Sequence, residues 1–348
     1  MKKEHTKKII GIWLIIGVAM VLIQIMLGGI TRLTGSGLSI TEWKAVLGAI
    51  PPLNHEQWVA AFDQYKQFDQ YKLVNTAMTL EQFKGIFFWE FMHRNWARLM
   101  SLVFLIPLVY FLWKKMLSIQ EVPKILVIVV LGALEGLMGW IMVASGLEEN
   151  KVLVNPIKLM GHLVIASFIL AYTLRLALEY LYPKQHHRFD HSARKLTLIL
   201  LLLVFIQIGF GALMAGSKAA LNCTTFPLMN GSYFPPHLGF HTPWQDFIHD
   251  NNMTLQFIHR NIALILFCYV IFLFSRTKKT AAQFEFHRTR WFLLIMVMLQ
   301  VLLGILTLLY SQGKVPVVLG VMHQLGAFLL LIFSVEAHYF VKYRSVKQ

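Results

Sequence analysis

Eight apolar runs, each near the length needed to cross a lipid bilayer, constrain this chain more than any other feature. They fall at 9–30, 86–113, 124–143, 158–181, 196–216, 255–275, 291–310 and 318–340. A helix rises 1.5 Å per residue, so about 20 apolar residues cover a hydrocarbon core ~30 Å thick. Lipid offers the backbone no hydrogen bonds, and a helix satisfies its own. The second run is longer and is expected to tilt or to project past the bilayer. The first continues into Gly28-Gly29-Ile30-Thr31-Arg32 with no small-x-small cleavage signal, and is read as a retained span. Composition agrees: 57% of the 348 residues are hydrophobic and 14% charged, where a soluble domain carries about 25% charge. The expected fold is all-α and polytopic, with eight transmembrane helices.

A net charge of +15 invites a nucleic-acid reading, but its distribution opposes one. Of 32 Lys and Arg residues, 19 fall in the N-tail, three alternate loops and the C-tail, from Lys2 to Lys8, Lys114 to Lys124, Lys184 to Lys195, Arg276 to Arg290 and Lys342 to Lys347. That is the positive-inside pattern, which puts both termini in the cytoplasm. The basic segments suit anionic headgroups, so the partner is the bilayer and no nucleic acid is expected. The two cysteines, Cys223 in an outer loop and Cys268 in the sixth span, are not expected to meet. Thiolate-held iron–sulfur or structural zinc sites are not expected either.

Two large loops face outward, about 31–85 and 217–254. The first carries Trp43, Trp58, Tyr65, Gln67 and Tyr71, and short amphipathic helices are expected around 54–66 and 79–86. Thr79 followed by Gln82 reads as a capping box. The second, with Tyr233-Phe234-Pro235-Pro236, reads as irregular but ordered.

The chain repeats itself. Gln24-Ile25-Met26-Leu27-Gly28-Gly29 echoes Gln207-Ile208-Gly209-Phe210-Gly211-Ala212, and Glu90-Phe91-Met92-His93-Arg94-Asn95 echoes Gln256-Phe257-Ile258-His259-Arg260-Asn261. Leu137-Met138-Gly139-Trp140 echoes Leu302-Leu303-Gly304-Ile305 more weakly, and His162 answers His323. The spacings run 183, 166, 165 and 161 residues in the same order. Four spans per repeat is an even number, so the halves share one orientation about a pseudo-twofold axis along the membrane normal. The expected domains are two four-helix bundles, 1–182 and 183–348. The recurring glycines either bring helices close or flank a flat ligand.

Of 14 histidines, four sit at repeat-related positions: His93, His162, His259 and His323. Each lies a few residues to two turns inside the outer end of its span, about 5–12 Å deep. Intramembrane histidines are uncommon and functional by default. Two imidazoles facing across a four-helix interior are the axial arrangement of a low-spin haem, whereas zinc wants a third or fourth ligand. His5, His186, His187, His191 and His287 read as surface, solvated or lipid-facing, and His55, His237, His241 and His249 lie in the outer loops. His338 lies near the inner end of the last span. Arg94, Arg98 and Arg260, with Arg32 and Lys218, suit haem propionates; snorkelling to lipid phosphate is the alternative. Glu90 lies one turn before His93, where the second half has Gln256. A carboxylate there can take a proton, stabilise a cation or orient water, which glutamine cannot; the plainer reading is a helix-dipole partner.

These motifs resemble the haem A synthase family. The likeness covers almost the whole chain and is strongest in Gly28-Gly29-Ile30-Thr31-Arg32-Leu33-Thr34-Gly35-Ser36-Gly37-Leu38-Ser39, with Trp43 and Pro51-Pro52-Leu53. It continues through Glu90-x-x-His93-Arg94, Met142-Val143-x-Ser145-Gly146-Leu147, Phe226-Pro227-Leu228-Met229-Asn230-Gly231, Gln256-Phe257-x-His259-Arg260 and His323-Gln324. The resemblance implies that His93 and His162 hold the substrate haem O, that His259 and His323 ligate a permanent haem b, and that Glu90 is the catalytic carboxylate. It implies oxidation of a ring methyl to the formyl of haem A by two successive water-derived hydroxylations, with a gem-diol losing water. Haem O synthase and cytochrome oxidase assembly factors are the implied transient partners, beside an electron acceptor that the resemblance does not define. Some bacterial members carry cysteine pairs in both outer loops; this chain has only Cys223 there, which excludes a thiol relay. The short N-terminus lacks an Arg/Ser-rich transit segment, so a bacterial plasma membrane is expected. The oligomeric state, a homo-oligomer included, stays open. The rival is a di-haem electron carrier, which does not explain the Glu90/Gln256 difference. A transporter would want midplane ionisable groups, for which Glu135 is the nearest candidate, with Arg175 closer to the inner end.

Overall fold

The structure, a computed structural model, describes residues 2–42, 47–182, 190–235, 238, 252–280 and 284–342. Trp43, Lys184, His186, His187, Pro236, His237, His241, His249 and Lys347 lie outside them.

Eight helices among the described residues are long and apolar enough to cross a membrane. They are α1 (Lys2–Leu33), α3 (Leu80–Trp113), α4 (Val122–Ala144), α5 (Pro156–Leu181), α6 (His191–Gly216), α7 (Asn252–Arg276), α8 (Phe284–Leu309) and α9 (Val317–Lys342). A shorter α2 (His55–Tyr65) lies in the first loop, where an amphipathic helix was expected. The helices outrun the apolar runs because backbone hydrogen bonding continues into polar residues until something caps it. Asn155 and Asp190 do so at α5 and α6, each with a side-chain oxygen 2.9 Å from a first-turn backbone N–H.

One expected element is corrected. No separate helix spans 79–86. Thr79 and Gln82 form the capping box, Gln82 Oε1 accepting from Thr79 N at 2.9 Å, but what they cap is α3 itself. The second span therefore projects at its start, and the projection supports the loop. Phe83 is fully buried, its ring 5.0 Å from Phe62 and 5.3 Å from Tyr65, both of α2. Tyr71 and Trp58 close the same cluster. Residues 217–235 of the second loop are irregular apart from one turn at Ala219–Leu221 and a bridge between Met229 and Ser232.

The helix contacts repeat in order. α1 packs on α3 and α5 as α6 packs on α7 and α9, and α4 packs on α5 as α8 packs on α9. The two groups meet through α1, α5, α6 and α9 around a core that includes Leu170, Leu200, Leu293 and Leu331. Arg32 of α1 reaches across to the Ala215 carbonyl at 3.1 Å, and Gln324 of α9 to that of Ile25 at 2.8 Å. The repetition breaks once. α7 packs on α8, but α3 and α4 do not pack along one another. Both contribute to the cluster of Leu108, Phe111, Ile125 and Ile128 with α1 and α5, and Met100 of α3 and Leu131 of α4 also pack against the main core. Toward the histidines, Leu99 and Leu102 of α3 and Leu134, Leu137 and Trp140 of α4 are exposed.

Phe83→Ala is expected to cost about 3–5 kcal/mol, the usual loss for a buried phenylalanine. The check is limited proteolysis, which should cut the 47–79 segment faster while the spans stay resistant.

Candidate functional site: paired histidines on glycines

The four repeat-related histidines share one packing scheme. Each ring rests against a glycine of the neighbouring helix. A Cβ at Gly28 would lie 3.1 Å from His93 Nε2, at Gly139 3.2 Å from His162 Cε1, at Gly211 3.1 Å from His259 Cε1, and at Gly304 2.9 Å from His323 Cε1. No side chain fits without moving the ring. The glycines thus seat imidazoles, a role that the sequence left open between close helix packing and a flat ligand.

His162, His259 and His323 lie six or seven residues into α5, α7 and α9, about 9–10 Å from the helix starts. His93 lies thirteen residues into α3, about 20 Å, because α3 starts early under the loop. His93 and His162 are within electrostatic range of each other, and so are His259 and His323. Among the described residues no three His, Cys, Asp or Glu side chains gather as for a metal ion.

His259 and His323 line one cavity of about 390 Å³. Its walls include Val204, Phe257, Ile305 and Phe328, with Arg260, Lys218 and Arg32 also lining it. The Nδ1 atoms of both histidines, and Nε and Nη1 of Arg260, are buried without a hydrogen-bond partner. An apolar slot with two imidazoles and an unsatisfied guanidinium suits a flat apolar ligand with an anionic edge. Arg32, a first-half residue, faces this second-half cavity.

The two long loops are latched onto the histidine helices. Glu90 is buried; its Oε2 accepts from Ser39 N and Oγ, both at 2.7 Å, and from Ile40 N at 2.8 Å. Its Oε1 takes Arg94 Nη2 at 2.6 Å and Nε at 3.1 Å. Arg94 also donates to the Ile40 and Glu42 carbonyls. In the second half Gln256 and Arg260 both donate to the Cys223 carbonyl, at 2.7 and 3.2 Å. Burial pushes the Cys223 thiol up, but Thr225 and Arg260 outweigh it and hold the thiol below its usual range. Glu90 is thus not at a helix N-terminus, as the plainer reading held, but eleventh in α3. Arg94 is committed to the latch, whereas Arg98 donates to Asn95 Oδ1 at 2.6 Å.

One residue near a histidine was read in the sequence only as a candidate midplane charge. Glu135 of α4 stands 3.2 Å from His162 Nδ1. Its repeat mate is Gln300 of α8, which instead donates to the His323 carbonyl at 2.8 Å. The signal was there: Glu135 and Gln300 are spaced as Gly139 and Gly304 are.

A family model described as COX15-CtaA, cytochrome oxidase assembly protein, matches residues 11–335. The chain belongs to this family. Proteins named heme A synthase are similar along nearly their whole length. That of Nitrosomonas eutropha is 42% identical over 92% of this chain and 90% of its own. Those of Nitrosospira multiformis and Flavobacterium johnsoniae are 41% and 39% identical, covering 94% and 95% of this chain and 92% and 96% of theirs. Within this COX15-CtaA member, the histidine resting on a glycine is an arrangement that recurs at four places.

Gly304→Ala is expected to displace the His323 ring and lower the haem content of the purified protein severalfold. Gly209→Ala, whose Cβ would find nothing nearer than 4.0 Å, should retain it. Haem extraction per chain reads the difference.

Proposed function

We propose that this COX15-CtaA member is a haem A synthase, an oxidoreductase converting haem O to haem A in the first half beside a haem b held in the second. The observation that carries the reading is a site built twice with different chemistry: Glu90 stands where the second half has Gln256, each one turn before a glycine-seated histidine. One copy is equipped to hold a cofactor and the other to act on its ligand.

His259 and His323 would hold haem b, with Arg260, and Arg32 across the interface, near its propionates. The unpartnered Nε and Nη1 of Arg260 support that assignment. When bound, haem b supplies one-electron transfer. His93 and His162 would hold haem O. The parting of α3 from α4 beside these histidines supports lateral access for haem O, its isoprenoid tail in lipid. The repeated order of helix contacts supports two pseudo-twofold-related bundles.

The reaction adds one water oxygen to the methyl carbon in each of two steps, each releasing two electrons and two protons. The gem-diol then loses water to give the aldehyde, and the four electrons leave to an acceptor outside the chain. Every hydrogen bond to Glu90 described above is donated to it, by Ser39, Ile40 and Arg94. That favours a fixed electrostatic role, stabilising positive charge that develops beside the methyl, over proton shuttling. Arg94 orients Glu90, and the Ser39–Ile40 turn covers the site against water. The protein would sit in a bacterial plasma membrane with both termini inside and the histidine layer near the outer face. It would receive haem O from its synthase and hand haem A to oxidase assembly factors.

Haem extraction and mass identification from protein co-expressed with a haem O synthase test the reading. The wild type is expected to yield haem A and haem b. Glu90→Gln should retain both haem sites but cut haem A at least about 100-fold, as for loss of a positioned catalytic group, with haem O or the alcohol accumulating. Normal haem A from that variant would remove Glu90 from the reaction. Haem b alone from the wild type would point to an electron carrier. Cysteines placed at Asn75 and Ser118 should be labelled from outside and inside respectively.

A further inference from the structure

Glutamate stands against glutamine at two repeat-related places, not one. Besides Glu90 against Gln256, Glu135 stands against Gln300, and each member of the second pair faces the histidine of the following helix. Gln300 donates its amide to the His323 backbone carbonyl. A carboxylate has no proton to give and can only accept, so Glu135 turns to the imidazole instead. Its Oε1 stands 3.2 Å from His162 Nδ1, off the line of a good hydrogen bond. Its Oε2 and the Nδ1 itself are buried with no other partner. Gly139, one turn along α4 from Glu135, seats the same ring, so both partners that fix His162 come from one helix face.

A ligating histidine commonly donates its second ring N–H to a carboxylate, which fixes the tautomer and makes the ligand more basic. We infer that Glu135 is a positioning residue of the first half: it accepts the Nδ1 proton of His162, turns Nε2 toward the iron, and strengthens the donation of that imidazole. A more basic axial ligand favours the oxidised metal. The first-half iron is therefore held at a lower potential than a glutamine in that place would give, which eases withdrawal of electrons from the substrate. His323, with Gln300 on its backbone rather than on its ring, lacks this device. The inference rests on haem O binding in the first half.

The test is potentiometric titration and electron paramagnetic resonance of the full-length protein, wild type and Glu135→Gln, purified with and without co-expressed haem O synthase. The component that appears only with the synthase belongs to haem O. In E135Q that component is expected to shift to a more positive midpoint potential with an altered low-spin signature, while the haem b component stays put. Glu135→Asp should move it part of the way back. The reciprocal Gln300→Glu should shift the haem b component to a more negative potential, a gain that a purely structural role would not produce. An unmoved haem O component in E135Q overturns the inference. If E135Q loses haem O, Q300E decides, and an unmoved haem b component there overturns it. A wild type that binds haem O but makes no haem A would defeat the synthase reading while leaving these shifts readable.

Discussion

The contact between an imidazole and a bare glycine backbone sets the rest of this structure. In lipid there is no hydrophobic gain from pressing two helices together, so close approach rests on packing and on polar contacts between helices. Here each histidine projects into the space that a glycine on the next helix leaves, at Gly28, Gly139, Gly211 and Gly304. Helix spacing, ring depth and the pairing of histidines all follow. Such a seat works in one rotational setting of each helix, which ties α1 to α3, α4 to α5, α6 to α7 and α8 to α9.

On that common frame the halves have diverged through the hydrogen-bonding sense of a few side chains. Glutamine both donates and accepts, and Gln256 and Gln300 spend their amide protons on the carbonyls of Cys223 and His323. Glutamate only accepts, so Glu90 gathers backbone and hydroxyl donors from the turn at Ser39 and Ile40, and Glu135 turns to His162 Nδ1. Replacing an oxygen by an NH2 group thus changes what each latch grips. The packing differs as well: α7 packs on α8, while α3 and α4 do not pack along one another.

The loops belong to the site as much as the spans do. The first is built over the projecting start of α3 by the aromatic cluster around Phe83, and Glu90 with Arg94 pins its first turn. The second is pinned at Cys223 by Gln256 and Arg260. Arg32 crosses from α1 to the end of α6 and lines the cavity of His259 and His323, so that cavity draws a residue from the other half of the chain.

The sequence by itself determined the eight spans, the capping box at Thr79, the four histidines as a repeat-related set and the family likeness. These rest on local quantities: run length, residue order and spacing along one chain. Only the tertiary structure decided which glycine seats which ring, that Arg94 belongs to Glu90, that Arg260 keeps unpaired donors at the cavity, and that Glu135 stands beside His162. Each of these is a contact between helices far apart in sequence, fixed by how each helix is rotated about its own axis. In a membrane protein that rotation is poorly written in the sequence, because lipid-facing and buried faces are both apolar and polarity no longer marks the side that packs.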